Sequence, residues 1–178
     1  MALHKVDFLG LRYDHRHKSP VLFLKDVERE KYLPVWIGEL EANSIELAVI
    51  RKAAPRPLTH DLVSIILGNL EARISKVVID RLEDRTYYAE LHLYHEGDVK
   101  VIDCRPSDAV AIALRENSEI FVDDELMYSI KFVEIEEAGL DGDDVPPVVE
   151  AVEERVETDD EGFKDFLNRI SPTDFKEG

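Results

Sequence analysis

The chain has 178 residues, 44% of them hydrophobic, which suits one domain of ordinary size with a real core. Its single cysteine excludes an internal disulfide, and the lack of any apolar run of about 18 residues excludes a membrane-spanning helix. The formal charge of −17 excludes a chain-wide basic footprint for nucleic acid.

The N-terminal stretch MALHKVDFLGLRYDHRHK alternates like a strand and lacks the arrangement of a signal peptide. With one lone cysteine, a reducing cytoplasm is the expected location. Residues 3–13 and 20–26 are predicted strands around a polar turn, and 31–37 is a third, in which Pro34 favours an edge or a bulge. Gly38 opens a helical stretch over 39–53 that Pro55 ends. A second helix is predicted from Thr59 to about Leu70. Strands RISKVVIDRL, TYYAELHLY and VKVIDC follow, then a short helix from Ser107 and the strand EIFVDD.

After Val133 the composition changes. Residues 1–133 hold 18 basic and 23 acidic residues, a balance of −5; residues 134–178 hold 4 and 16, a balance of −12. The expected organisation is a domain over 1–135, an acidic linker over 136–161 and a short C-terminal helical segment over 162–178, with Phe163, Phe166, Leu167 and Ile170 on one face. Strands and helices in this order predict an α+β fold of mixed β-sheets with three short helices.

One phrase occurs twice. Asp61, Val63, Ile65 and Leu67 match Asp108, Val110, Ile112 and Leu114 at an offset of 47 residues, each set preceded by Arg-Pro and a hydroxyl residue. A strand-helix-strand duplication would explain the echo. On a wheel Leu62, Val63, Ile66, Leu67 and Leu70 share one side of the first helix, as Ala109, Val110, Ala113 and Leu114 do in the second. Thr59 and Ser107 read as N-caps, with Asp61 and Asp108 complementing the helix dipoles. Arg56 and Arg105 stand before helix starts, where they suit either a phosphate or, more simply, the first-turn Asp.

Other groups carry chemistry too. Glu39, Asn43 and Glu46 share a helical face and offer oxygen ligands to Mg²⁺ or Mn²⁺, although such stripes are more often merely solvated. His60, beside Asp61 at a helix start, suits a general acid or base, with a plain polar residue as the simpler reading. His15 and His17 sit at a hairpin tip, His92 and His95 point to opposite faces of a strand, and Cys104 lies in a strand. There is no phosphate-binding glycine loop, no nucleophile elbow and no cysteine pair for zinc.

The segments YLPVWIGELEANSIELA, PRPLTHDL and CRPSDAVAIALR, over about residues 4–135, closely resemble the bifunctional nuclease domain family. The ending FKDFLNRISPTDF resembles its actinobacterial-type members. The resemblance implies cleavage of both DNA and RNA, an α+β fold and a homodimer. Because DNA lacks a 2′-OH, water or a protein group must attack phosphorus, and metal-assisted hydrolysis by Mg²⁺ or Mn²⁺ is the simplest route. On that reading Glu39, Glu46 and Asp61 hold the metal, His60 shuttles protons, and Arg56 and Arg105 contact phosphate. The rival expectation is a non-enzymatic dimeric binding or regulatory protein whose motifs build the fold.

Overall fold

In the computed structural model, residues 2–129 are described apart from 16, 30 and 53. The expected acidic linker and C-terminal helical segment lie outside the described residues. The elements are β1 (Leu3–Asp14), β2 (Ser19–Asp26), β3 (Tyr32–Trp36), α1 (Glu39–Val49), α2 (Thr59–Asn69), β4 (Arg73–Glu83), β5 (Thr86–His95), β6 (Asp98–Cys104), α3 (Pro106–Glu116), β7 (Ile120–Asp123) and α4 (Asp124–Ser129). The fold is α+β, as expected.

The strands form a single mixed sheet ordered β3-β2-β1-β7-β4-β5-β6. Two antiparallel meanders, β1–β2–β3 and β4–β5–β6, are joined by the short strand β7, antiparallel to β1 and parallel to β4. β3 is an edge strand, so Pro34 sits where a missing N–H is tolerated. Period-2 alternation aims Ala89 and Leu91 of β5 at the helices, beside Val77 and Ile79 of β4. Register shifts at Ile74/Lys76 and Ile79/Arg81 keep the inward set of β4 in phase with β5. The β4–β5 hairpin turns on Asp84 and Arg85, both at positive φ, as a two-residue turn between right-twisted strands requires.

α3 is the crossover from β6 to β7 and packs on β4 and β5, with α1 and α2 on its other sides. Enclosed in this way, it buries seven residues, including Ala109, Val110, Ala111 and Ile112. α2 behaves differently. Of the apolar side expected from its sequence only Leu67 is buried, while Leu62, Ile66 and Leu70 face solvent. The sheet and α3 leave α2 a place on the flank, with one narrow line of contact.

Three helix boundaries differ from expectation. α1 ends at Val49 because Arg51 adopts positive φ (51°) and turns the chain. Thr59 is the first residue of α2, with Leu58 at the N-cap, and Asp61 reaches back to accept the Leu58 N–H at 3.0 Å. Pro106, not Ser107, starts α3, and Arg105 is its N-cap; proline's fixed φ and missing donor suit the first helical position. The duplication also holds only in part. Each repeated helix leads into one of the paired parallel strands β4 and β7, but α2 follows helix α1 whereas α3 follows strand β6.

Candidate functional site

The starts of α2 and α3 meet beside the middle of α1, and polar groups from all three helices connect there. Ser44 on α1 shares a hydrogen bond of 2.7 Å between its Oγ and His60 Nδ1. His60 Nε2 lies 3.1 Å from Asp108 Oδ1. Arg105 grips the same carboxylate with two bonds, Nε to Oδ2 at 2.8 Å and Nη2 to Oδ1 at 3.0 Å, and donates Nη1 to Glu41 Oε1 at 2.8 Å.

A second arm starts from Arg115 in the last turn of α3. Its Nε donates to Asp61 Oδ1 at 2.6 Å, its Nη1 to the Ala111 carbonyl at 2.9 Å, and its Nη2 to the Ser44 carbonyl at 3.2 Å. Ser44 joins the two arms, giving one line from Glu41 through Arg105, Asp108, His60, Ser44 and Arg115 to Asp61.

The carboxylates fix the chemistry of the line. Burial by itself would raise the Asp108 pKa, but hydrogen bonds from Arg105 and His60 outweigh it and hold the group below the ordinary value. The Arg115 hydrogen bond, against a smaller burial penalty, lowers Asp61 likewise. Asp108 and Glu41 raise the Arg105 pKa further, so its charge is permanent. An ionised Asp108 only accepts, so His60 Nε2 carries a hydrogen, and in the neutral ring Nδ1 accepts from the Ser44 hydroxyl. Both ring nitrogens are therefore occupied. Ser44 is 8% exposed, and its hydroxyl holds the ring at Nδ1.

The structure gathers some of the expected residues and separates others. His60, Asp61 and Arg105 belong to the network. Arg105 pairs with its own helix's Asp108, the simpler of the two expectations. Arg56 is exposed, and Asp61 takes Arg115 instead. The reason is register: at the offset of 47 that aligns Asp61 with Asp108, Arg105 corresponds to Leu58, so the two Arg-Pro pairs stand two residues out of step.

Among the described residues no group of three or more His, Cys, Asp or Glu is placed to hold a metal ion. Glu39, Glu46 and Asp61 are therefore not assembled into one site. Glu39 is exposed at the first position of α1, Glu46 is half-buried nearly two turns on, and the Asp61 oxygens serve Arg115 and Leu58. His15 and His17 form no metal cluster either; Asp14 holds His17 Nδ1 at 2.5 Å and accepts from Trp36 Nε1 at 3.0 Å. Burial pushes the Cys104 thiol up to about 12, aided by surrounding carboxylates.

Sequence reasoning missed Ser44, Glu41 and Arg115 as site members, and gave Asp108 a helix-start role and the pairing with Arg105 but not the contact with His60. The signal for Asp108 was present in the repeat. Glu41 and Ser44 lie three residues apart on the side of α1 opposite the one carrying Glu39, Asn43 and Glu46.

The described residues contain no helix long and apolar enough to cross a membrane. Residues 22–134 match the bifunctional nuclease domain family. Two proteins of Mycobacterium tuberculosis, one from strain CDC 1551 / Oshkosh and one from strain ATCC 25618 / H37Rv, are each 37% identical over 175 residues. The alignment covers 97% of this chain and 98% of each relative, and both relatives are described as uncharacterized. The network's residues all fall inside the matched span, and the relatedness runs nearly end to end. This chain belongs to the bifunctional nuclease domain family.

Proposed function

We propose that the chain is a cytoplasmic nuclease that hydrolyses phosphodiester bonds in DNA and RNA and acts as a homodimer. The observation that carries this reading is His60, held between Ser44 and Asp108 where two helices begin, with Arg105 and Arg115 on either side. Helix starts favour anions, and an arginine fork suits a phosphate. In the proposal Arg105 exchanges part of its carboxylate pairing for the phosphate. Arg56, free of Asp61 at the entrance to α2, adds a second phosphate contact. With the Ser44 hydroxyl turned aside, His60 Nδ1 takes the proton of the attacking water and the ring returns one to the leaving oxygen as the P–O bond breaks, while Asp108 holds the ring's orientation.

The expected carboxylate set for Mg²⁺ or Mn²⁺ is not gathered at one point, so no step is assigned to a metal ion. Divalent-ion dependence is decided by experiment. The test is cleavage of matched single-stranded DNA and RNA with Mg²⁺, Mn²⁺ or EDTA, using wild type, His60→Ala, Asp108→Asn and Arg105→Ala, all checked for folding. Loss of cleavage of both substrates in folded His60→Ala supports the reading. Equal activity in every preparation points to a contaminant and sinks it.

One observation favours a second reading, a non-enzymatic dimeric binding or regulatory protein. Two arginines of the network face three carboxylates, Glu41, Asp61 and Asp108, so its cations are already neutralised. On this reading the network locks three helices together, and His60→Ala lowers stability without touching any cleavage.

A further inference from the structure

Of the 11 residues in α2 only Leu67 is buried, while α3, of equal length, buries seven. Leu58, Leu62, Ile65, Ile66 and Leu70 are each between 41% and 57% exposed. At about 100° per residue these side chains form one continuous stripe, on the side of the helix opposite His60. The usual arrangement is reversed: this helix turns its apolar face outward. An 11-residue helix gains most of its stability from packing, and α2 has little of its own.

We infer that a second copy of this chain covers the stripe, α2 lying against α2 across a two-fold axis near Ile65 and Ile66. Three observations favour that occupant. No residue from Leu62 to Leu70 is charged, so the cover must itself be an uncharged apolar ridge, and α2 supplies one. An antiparallel two-fold sets Leu62 beside Asn69 and Leu70 of the other copy and Ile66 near its own equivalent, a self-complementary contact. The stripe exposes roughly 500 Å², so a symmetric pair removes on the order of 1,000 Å², the lower bound for a specific interface.

Gly68 stands just past the Ile65 edge of the stripe, and nothing lies within 4 Å of where its Cβ would stand, so its own domain does not require a glycine at this border of the contact. A membrane surface fits less well, because helices that lie on membranes carry Lys or Arg on their polar flank and 59–69 contains neither.

The contact has a consequence that rests on the nuclease reading. A partner on the outer face of α2 clamps the helix that carries His60 and steadies the ring against Asp108.

The test is sedimentation velocity of the full chain over a wide concentration range. Wild type is expected to be a dimer and Ile66→Lys a monomer with unchanged helical circular dichroism. In a Cys104→Ala background, Ile66→Cys is expected to form an intermolecular disulfide and Thr59→Cys, far from the axis, is not. If Ile66→Lys fails to fold, the wild-type mass and the two cysteine variants decide the matter. A wild-type monomer at every concentration overturns the inference, as does a dimer that persists in folded Ile66→Lys. Protection of α2 from hydrogen exchange that does not change with concentration overturns it as well, because the cover would then come from the same chain. A dimer without cleavage leaves this inference standing and removes only its consequence for His60.

Discussion

α2 and α3 begin with the same phrase and end in opposite surroundings. The aligned residues Ile65 and Ile112 are 46% and 5% exposed. The α3 sequence crosses the sheet as the link between β6 and β7 and is enclosed by β4, β5, α1 and α2; α2, reached from α1, leans mainly on α3. A shared helix-starting phrase therefore fixes how a helix begins and which polar groups stand at its first turn. It does not fix which face is buried. What the two copies do share is a reciprocal tie. Asp61, third in α2, reaches Arg115 of α3, and Asp108, third in α3, meets His60 of α2.

The largest difference should come from the aligned apolar pair. Ile112→Ala is expected to cost about 2–5 kcal/mol, the ordinary range for emptying a core site. Ile65→Ala should cost under about 1 kcal/mol when referred to the monomer. Urea unfolding at low protein concentration reads both, and equal losses would break the comparison between the helices.

The two arginines of α3 come next. Arg115 is 10% exposed and ties Asp61 to the Ser44 carbonyl, so Arg115→Ala leaves half-buried acceptors without their donor and should cost about 1–3 kcal/mol. Arg105 is 65% exposed, and Arg105→Ala should cost under about 1 kcal/mol because water screens its pairs. If Arg105→Ala abolishes cleavage with so small a loss of stability, its role lies with the substrate rather than the fold.

A smaller effect follows from pH. Asp61 and Asp108 both have folded pKa values below the ordinary one. Their contribution is thus complete above the unfolded carboxylate value of about 3.9 and is lost as pH falls through the lower folded value. The stability gap between wild type and Asp61→Asn should be constant down to about pH 5 and close below about pH 4. Urea midpoints across that range measure it; a gap that widens in acid would mean the aspartate is not held ionised by Arg115.

The strands were legible from sequence because alternation and turn residues are local signals. All seven were anticipated within a residue or two, and the edge position of Pro34 is one of the two, edge or bulge, that its proline allowed. The single joined sheet was not legible, since it depends on β7 inserting between β1 and β4, a pairing between residues far apart in the chain. The site was half legible. His60 and the Arg105–Asp108 pair announce themselves at helix starts, but Ser44 looks like an ordinary small residue on the core face of α1. The link between Asp61 and Arg115 spans 54 residues, and no periodicity reports it. The three carboxylates expected around a metal are not drawn together for a related reason: spacing places residues on one helix face without saying what stands opposite.

The finest comparison uses the position where the repeated helices differ most. At the offset of 47, Gly68 of α2 corresponds to Arg115 of α3. The arginine is a tie within the domain; the glycine has open space around its missing Cβ. Gly68→Ala should therefore raise the stability of the isolated domain by about 0.5–1 kcal/mol through helix propensity alone. If a facing α2 approaches closely there, the same methyl group weakens self-association, and sedimentation should show a larger dimer dissociation constant although the monomer is more stable. Opposite signs in the two measurements would separate a glycine kept for an interface from one that α2 merely tolerates. If stability and association rise together, the glycine is not at the contact, and the axis must lie toward Leu62.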